Sequence, residues 1–221
     1  MTISFGGLLA GLACLLGAPV HLILCSLIKV CNPGPALYRA RRLGKDGAPF
    51  ELLKYRTMKV NAPPLVGTGF KMLVAQQDPR VTSLGRWLRC GIDELPQLWS
   101  IVRSEMKWVG PRPDEVWMLP HYGPVCKQRL SVFPGVTGLA QVLDSRNIPT
   151  ADGFAIDLWY IAHRSFWLDA WVILVTPLFM AGWRTLGRGR LKRLRCSPEF
   201  ERFRKCCDSE LSAAEMLHQS Q

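Results

Sequence analysis

The chain has 221 residues, enough for one domain that buries a substantial core without disulfides or metals. Its net charge of +11 accompanies a mean hydropathy of +0.09, and this basic, apolar composition, with no nucleic-acid-binding motif, points to a membrane partner and not to nucleic acid. The eight cysteines form no Cys-x-x-Cys pair, which argues against zinc and fits a reducing cytoplasm.

The first predicted element is an apolar helix over residues 3–30. Residues 1–28 of the chain carry no Asp, Glu, Lys or Arg. About 20 apolar residues suffice to cross a bilayer, and no signal-peptide cleavage site is present. Ala18-Pro19 lies in the middle, and because proline removes a backbone hydrogen bond we expect a kink there. Two alternatives stay open, a kinked spanning helix and a re-entrant helix-break-helix. Hydropathy cannot separate them, and before any family resemblance is considered we favour the spanning helix.

A basic β-hairpin is predicted next, with strands over residues 36–43 and 48–55 joined around a glycine-rich turn. Because its basic residues follow the apolar segment closely, they predict that this side faces the cytoplasm. Residues 60–80 contain prolines and glycines without periodicity, and we predict a mobile loop there.

Short helices dominate the remaining prediction, with a turn-rich connector between them. Apolar spacing predicts helices over residues 81–89, 93–104, 114–131 and 151–163, and the connector covers 133–138.

A second apolar stretch covers residues 166–183 and contains three tryptophans, a residue that favours the membrane interface. We predict a helix lying on the membrane in preference to a second span or a buried core helix. Residues 184–195 include six basic and no acidic side chains, a composition that attracts anionic headgroups. The last 25 residues are expected to be a poorly ordered tail or a single helix.

Asp93 and Glu94 form the most suggestive polar pair. Taken alone, ordinary helix capping by Asp93 explains them. Their surroundings favour a phosphate site, because Arg89 precedes them and Arg112 lies between two prolines that stiffen its backbone. Mg²⁺ typically takes one or two carboxylates plus phosphate oxygens, and an aspartate can act as a nucleophile towards phosphorus.

Six blocks in consistent order carry a family resemblance. Asp93-Glu94-Leu95-Pro96-Gln97-Leu98-Trp99, followed by Val109-Gly110-Pro111-Arg112-Pro113, resembles the bacterial sugar transferase family, the small monotopic phosphoglycosyl transferases. Similar blocks lie at residues 54–58, 78–82, 134–142 and 157–160. The resemblance runs from about residue 33 to residue 177.

The resemblance implies transfer of a phosphosugar from a UDP-sugar to a membrane polyprenol phosphate, with undecaprenyl phosphate the expected carrier, and release of UMP. It implies two displacements, in which Asp93 forms a covalent phosphosugar intermediate and Glu94 assists in Mg²⁺ binding or proton handling. The side chains implied in phosphate or nucleotide binding are Arg112 with Pro111 and Pro113, and less directly Arg89, Arg56 and Arg146.

The family fold implied is mainly α with a small antiparallel β-hairpin, in a monotopic protein at the cytoplasmic face of the bacterial inner membrane. Its parts are a re-entrant helix over residues 1–31 broken near Pro19, a catalytic domain over 32–183 with interfacial helices, and a basic tail over 184–221. A homodimer is left open, and so is a non-catalytic protein that binds anionic lipid through its basic face.

Three departures from the family pattern bear on these expectations. Ala18 replaces the serine that usually precedes the break, and three residues instead of four separate Arg89 from Asp93. The stretch 143–147 differs from the family's usual Asn-Gly-Arg-Asn.

Overall fold

The protein is described here from a computed structural model, which describes residues 4–63, 78–143, 149–182 and 185–219. The fold is mainly helical with a small antiparallel two-stranded sheet, as predicted. Arg146 and most of the loop predicted over residues 60–80 lie outside the described residues.

Two helices replace the single apolar helix at the N-terminus. Helix α1 (Phe5–Leu16) begins at Ser4, whose hydroxyl accepts a hydrogen bond from the Gly7 amide at 3.2 Å. Helix α2 (Ala18–Cys31) carries Pro19 in its first turn, where a missing N–H leaves no bond unmade. The two axes are bent by 59°, so the kink expected near Pro19 is confirmed.

In the part of the chain that the structure describes, no single helix is long and apolar enough to cross a membrane, whereas the bent α1–α2 pair together meets that length and composition.

Polar contacts fix the bent pair to the rest of the fold. Trp108 Nε1 donates to the Gly6 carbonyl at 3.0 Å, and His21 Nδ1 shares a hydrogen bond of 2.8 Å with the Tyr55 hydroxyl. Ala10 of α1 is buried in the cluster that contains Leu52 of the hairpin. The orientation of α1 and α2 is therefore set by the domain that follows them.

The predicted hairpin is confirmed, with β1 (Leu37–Leu43) antiparallel to β2 (Pro49–Tyr55). A second, parallel pair joins β3 (Lys107–Val109) to β4 (Gly135–Thr137). The stretch 133–138 was expected to be only a connector. Three-residue strands are too short to show the alternation that identifies a strand in sequence.

The central helices are shorter than predicted, although α3 (Ser83–Leu88) confirms the helix over 81–89. The prediction of a three-turn helix over residues 93–104 is wrong. That stretch is a 3₁₀ turn, here called the dyad turn (Ile92–Gln97), followed by α4 (Leu98–Val102). Pro96 lies inside the dyad turn and cannot donate to an α-helical ladder.

The prediction of a single helix over residues 114–131 is also wrong, because Pro120 and Gly123-Pro124 interrupt that stretch. The structure divides it into 3₁₀ turns at Val116–His121 and Gln128–Ser131 with α5 (Pro124–Lys127) between them.

The main core lies among the C-terminal helices. They are α6 (Leu139–Val142), α7 (Thr150–His163), α8 (Phe166–Met180), α9 (Thr185–Arg195) and α10 (Pro198–Gln219). The helix predicted over 151–163 is thus confirmed as α7.

Helix α8 has two unlike faces. Val172 and Val175 are buried in the core, whereas Phe166, Trp167 and Leu174 are 77%, 79% and 70% exposed. The helix therefore packs on the protein with one face and presents large apolar side chains on the other.

The C-terminal segment joins the same core. Phe200, Cys207 and Leu211 of α10 are buried, and α10 packs along α7. Of the two alternatives for the last 25 residues, the structure shows the helix. Helices α9 and α10 thus contribute Leu191, Leu194, Phe200, Cys207 and Leu211 to the core.

Candidate active site

The dyad turn begins at a glycine that its geometry requires. Gly91 has a φ of 117°, in the left-handed region, and occupies the N-cap position of the turn. A Cβ on Gly91 would lie 2.1 Å from Cε of Met180, at the end of α8. The capping interpretation requires Asp93 to be the N-cap. The N-cap is Gly91 instead, and Asp93 lies within the first turn.

Glu94 is held by cations from two other segments. Its Oε1 accepts from Lys54 Nζ at 2.7 Å and from Arg112 Nη2 at 3.0 Å. Burial opposes its charge, but Arg112 and Lys54 outweigh burial and lower the pKa of Glu94 to about 2. Glu94 is thus ionised and fixed in position at neutral pH.

Asp93 has the opposite environment, although it is the adjacent residue. Its carboxylate is half-buried and makes no hydrogen bond or ion pair with any residue that the structure describes. Burial, and then the Glu94 charge, raise the pKa of Asp93 above its ordinary value. The positive charges of Lys54, Arg89 and Arg112 lower this pKa, but by less. An unpaired carboxylate of raised basicity can attack phosphorus or ligate a cation.

Lys54 is a site residue that the sequence candidates omitted. It lies in β2, its side chain is only 15% exposed, and it reaches across to Glu94. Burial, followed by the nearby Arg112 charge, lowers the pKa of Lys54 despite the Glu94 carboxylate. Its position in the family-like block at residues 54–58 could have identified it as a site residue.

The backbone that carries Arg112 is held by neighbours on both sides. Gly110 N donates to the Thr137 carbonyl and Gly135 N to the Pro111 carbonyl, both at 3.0 Å, so Pro111 is anchored to β4. On the other side Leu43 N donates to the Asp114 carbonyl at 2.8 Å. Pro113 adds a fixed φ, and the Arg112 guanidinium is therefore projected from a rigid segment.

Arg129 braces the same segment from beneath, and nothing in the sequence singled it out. It is buried and donates through Nη2 and Nε to Asp157 Oδ2, at 2.7 and 3.0 Å. It also donates to Asp114, and its Nη2 lies 3.4 Å from the Arg112 carbonyl. The guanidinium stacks on the Phe154 ring at 3.7 Å.

The remaining predicted arginines have different positions. Arg89 is the C-cap of α3 and donates from Nε to Thr57 Oγ1 at 3.1 Å. Among the charges near it, the Asp93 carboxylate does most to stabilise its positive charge. Arg56 is buried and donates to the main-chain carbonyls of Asn32 and Pro33. The shorter spacing thus still leaves Arg89 beside Asp93, whereas Arg56 secures the turn before the hairpin.

Divalent-metal ligands were predicted at Asp93 and Glu94. Over the described ranges, no group of three or more His, Cys, Asp or Glu side chains is arranged to hold a metal ion. Two adjacent carboxylates nevertheless match the usual protein share of a Mg²⁺ site that phosphate oxygens complete.

Known proteins resemble this chain along most of its length. The family model for bacterial sugar transferases matches residues 3–182. Galactosyl transferase CpsE of Streptococcus agalactiae is 34% identical over 179 residues, which is 72% of this chain and 39% of that protein. The exopolysaccharide production protein ExoY of Sinorhizobium fredii is 36% identical over 185 residues, 78% of this chain and 82% of that protein.

A third relative has a more explicit name. The UDP-glucose:undecaprenyl-phosphate glucose-1-phosphate transferase of Caulobacter vibrioides is 41% identical over 177 residues, 76% of this chain. The match spans 64% of that relative, so this chain corresponds to part of its length. With the family model covering residues 3–182, the chain belongs to the bacterial sugar transferase family.

Proposed function

We propose that this protein transfers a phosphosugar from a UDP-sugar to undecaprenyl phosphate, with release of UMP. One observation carries the proposal: a half-buried Asp93, with no hydrogen-bond or ion-pair partner among the described residues, lies beside a Glu94 that Lys54 and Arg112 fix in place. The Caulobacter relative, whose name states a UDP-glucose donor and an undecaprenyl-phosphate acceptor, supports this choice of substrates.

In the first displacement, a carboxylate oxygen of Asp93 forms a bond to the phosphorus that bears the sugar. The bond from that phosphorus to the bridging oxygen breaks, and its electron pair leaves on UMP. Attack by Asp93 requires the ionised carboxylate, and its raised pKa makes it a better nucleophile than an ordinary aspartate. Lys54 and Arg112 lie beside the charge that develops on the phosphate oxygens.

In the second displacement, a phosphate oxygen of the acceptor attacks the same phosphorus. The bond to the Asp93 oxygen breaks, the carboxylate is regenerated, and a polyprenol diphosphate sugar is formed. Because Glu94 stays ionised and paired, it keeps Lys54 and Arg112 in position through both steps.

We include Mg²⁺ as a cofactor, with Asp93 and Glu94 as its protein ligands. The fit rests on Asp93 having no partner among the described residues and on Glu94 using only Oε1 for its two cations. When bound, the ion supplies charge neutralisation at the donor diphosphate.

We place the protein at the cytoplasmic face of a bacterial inner membrane, with α1 and α2 as a re-entrant pair. Support comes from their bend of 59° and from exposed apolar side chains such as Leu15, Leu16 and Val30. The exposed Phe166 and Trp167 of α8 suit the interfacial region. A re-entrant pair brings both of its ends, and the dyad, to the level of a lipid phosphate.

The test is UMP release by the full chain in detergent or nanodiscs, with a panel of UDP-sugars, undecaprenyl phosphate and Mg²⁺. At least one donor should give UMP and a lipid-linked sugar, and a chelator should abolish the reaction. Asp93→Asn should be inactive, whereas the matched control Asp46→Asn, at an exposed turn position, should be fully active. Absence of UMP release with every donor tested would contradict the proposal.

A covalent intermediate makes a second, independent prediction. Incubation with the UDP-sugar alone should add the mass of one phosphosugar to the wild-type chain and none to Asp93→Asn. A peptide map should place the adduct on Asp93. Turnover without a detectable adduct under rapid quenching would favour direct transfer to the acceptor.

A further inference from the structure

Arg42 faces a pocket next to the dyad, although neither the family blocks nor the candidate arginines included it. It lies near the end of β1 opposite Phe50, and alternation along β2 puts Phe50 on the same face as Lys54. The pocket is lined by Arg42, Leu52, Lys54, Gln97, Arg112, Pro113 and Gly135. Three cationic side chains from three segments therefore converge on one small space.

Arg42 is incompletely paired there. Its Nη2 forms an ion pair of 3.1 Å with Glu115 Oε1, and its side chain is 20% exposed. Its Nε is buried and has no hydrogen-bond partner within the described residues. Burial lowers the pKa of Arg42, although the Glu115 charge raises it, and the nearby Arg112 charge lowers it further. A guanidinium with an unused donor and a nearby like charge is a ready site for an anion.

We infer that Arg42 binds the nucleotide phosphate of the UDP-sugar, the phosphate that departs with UMP. This inference rests on the proposed function and extends its donor site beyond Lys54 and Arg112. Lys54 and Arg112 contact Glu94, and Arg42 contacts Glu115 but has in addition a buried Nε that no described residue accepts from. When the bridging bond breaks, the new charge resides on the UMP phosphate, where a guanidinium stabilises it.

The lining of the pocket suits a nucleotide phosphate and does not suit a polyprenyl chain. Apart from the cations it consists of an amide, a proline, a glycine and Leu52, which is only 2% exposed. A polyprenyl chain needs an apolar wall, and the exposed apolar side chains near the dyad, Leu95 and Trp99, are not part of this lining. Because each displacement is in line, the acceptor phosphate takes the position that the UMP phosphate leaves, opposite Asp93, and only the polyprenyl chain is expected outside this pocket.

The experiment compares Arg42→Gln with Arg39→Gln in the full chain, using steady-state kinetics and UMP product inhibition. Arg39 is a matched control on the same strand, in an exposed pair with Glu51 at 3.1 Å. Arg42→Gln should weaken UMP inhibition about tenfold or more, as for loss of one charge-assisted hydrogen bond. It should also raise KM for the UDP-sugar, and Arg39→Gln should change neither quantity.

A second variant separates binding from scaffolding, since the Arg42–Glu115 pair also ties β1 to the segment after Arg112. Glu115→Gln removes the pair but leaves the guanidinium, and it should keep UMP affinity at or above the wild-type value. An equal loss of UMP affinity in Glu115→Gln would show a structural role and overturn the inference. If Arg42→Gln does not fold, Arg42→Met replaces it, because Met keeps an aliphatic stem without the charge, and unchanged UMP inhibition there would also overturn the inference.

Failure of the proposed function has a different signature. A wild-type chain that releases no UMP from any donor overturns the proposed function, and the inference with it. An active wild type whose folded Arg42→Gln variant keeps normal UMP inhibition overturns the inference alone.

Discussion

Met180 contacts Gly91 so closely that no side chain fits between them. A Cβ at Gly91 would be 2.1 Å from Met180 Cε and 3.1 Å from its sulfur. Gly91 begins the dyad turn, and Met180 ends α8, the helix whose other face exposes Phe166 and Trp167. The contact therefore joins a helix proposed to lie in the membrane interface to the turn that carries Asp93 and Glu94.

Gly91→Ala is expected to lower both stability and activity. A φ of 117° is strained for any residue with a Cβ, at a cost of about 1–3 kcal/mol, and Met180 would also have to move. The shift falls two residues before Asp93, so kcat should decrease more than the unfolded fraction explains. Thermal unfolding and UMP release on the same sample measure the two effects.

Gly153→Ala is the matched control, because a Cβ at this helical glycine meets nothing within 4 Å. It should leave activity unchanged and stabilise the protein by up to about 1 kcal/mol, through helix propensity alone. A Gly91→Ala variant with normal kcat would show that the Met180 contact does not position the dyad.

The acid side of the pH–activity profile should report Asp93. The pKa of Asp93 is raised by burial and by Glu94, whereas the pKa of Glu94 is lowered to about 2, so Glu94 stays ionised across the working range. Activity needs the Asp93 carboxylate and therefore falls as the pH drops through its raised pKa. The midpoint should lie above that of an ordinary aspartate, as measured by kcat against pH at saturating substrates.

Two substitutions should move this midpoint in opposite directions. Lys54→Met removes a positive charge that lowers the pKa of Asp93, so the midpoint should rise. Glu94→Gln removes a charge that raises it, so the residual activity of that variant should persist to lower pH. Movement of both midpoints in the same direction would assign the acid limb to another group.

The sequence predicts the parts of this fold that repeat a regular pattern. The hairpin, α3 and α7 follow from alternation or helical spacing, and Pro19 locates the bend between α1 and α2. The β3–β4 pair could not be found, since its strands have three residues each and lie 25 residues apart. The broken helices after residues 92 and 114 show that proline outweighed the apolar spacing.

The candidate site divides along similar lines. Motifs place Asp93, Glu94 and Arg112 together, and the structure shows two of these side chains in contact. Arg129 and Arg42 depend on tertiary packing, because each meets its partners across long sequence separations or in a pocket made by several segments. Residue type alone could not distinguish them from Arg56, whose guanidinium binds backbone carbonyls.

Arg129→Leu should be among the most destabilising single substitutions in this protein. It leaves the buried Asp157 without its cation and removes the brace at the Arg112 carbonyl. Loss of one partner of a buried ion pair typically costs about 3–5 kcal/mol. Chemical denaturation should show this loss, whereas Arg204→Leu, in a half-exposed pair with Glu201, should unfold nearly like the wild type. Equal stability of the two variants would mean that Asp157 finds another partner.

Topology provides the last prediction. If α1 and α2 are re-entrant, a cysteine at the exposed Phe5 position and the native exposed Cys31 lie on the same side of the membrane. In a background with the other seven cysteines replaced, both should react with a membrane-impermeant maleimide in inside-out vesicles and neither in intact spheroplasts. Straightening the bend with Pro19→Leu should then favour a continuous span and expose position 5 to the opposite side, because a continuous helix of this length and composition can cross the bilayer. Labelling of positions 5 and 31 from opposite sides in the unmodified sequence would instead establish a kinked spanning helix.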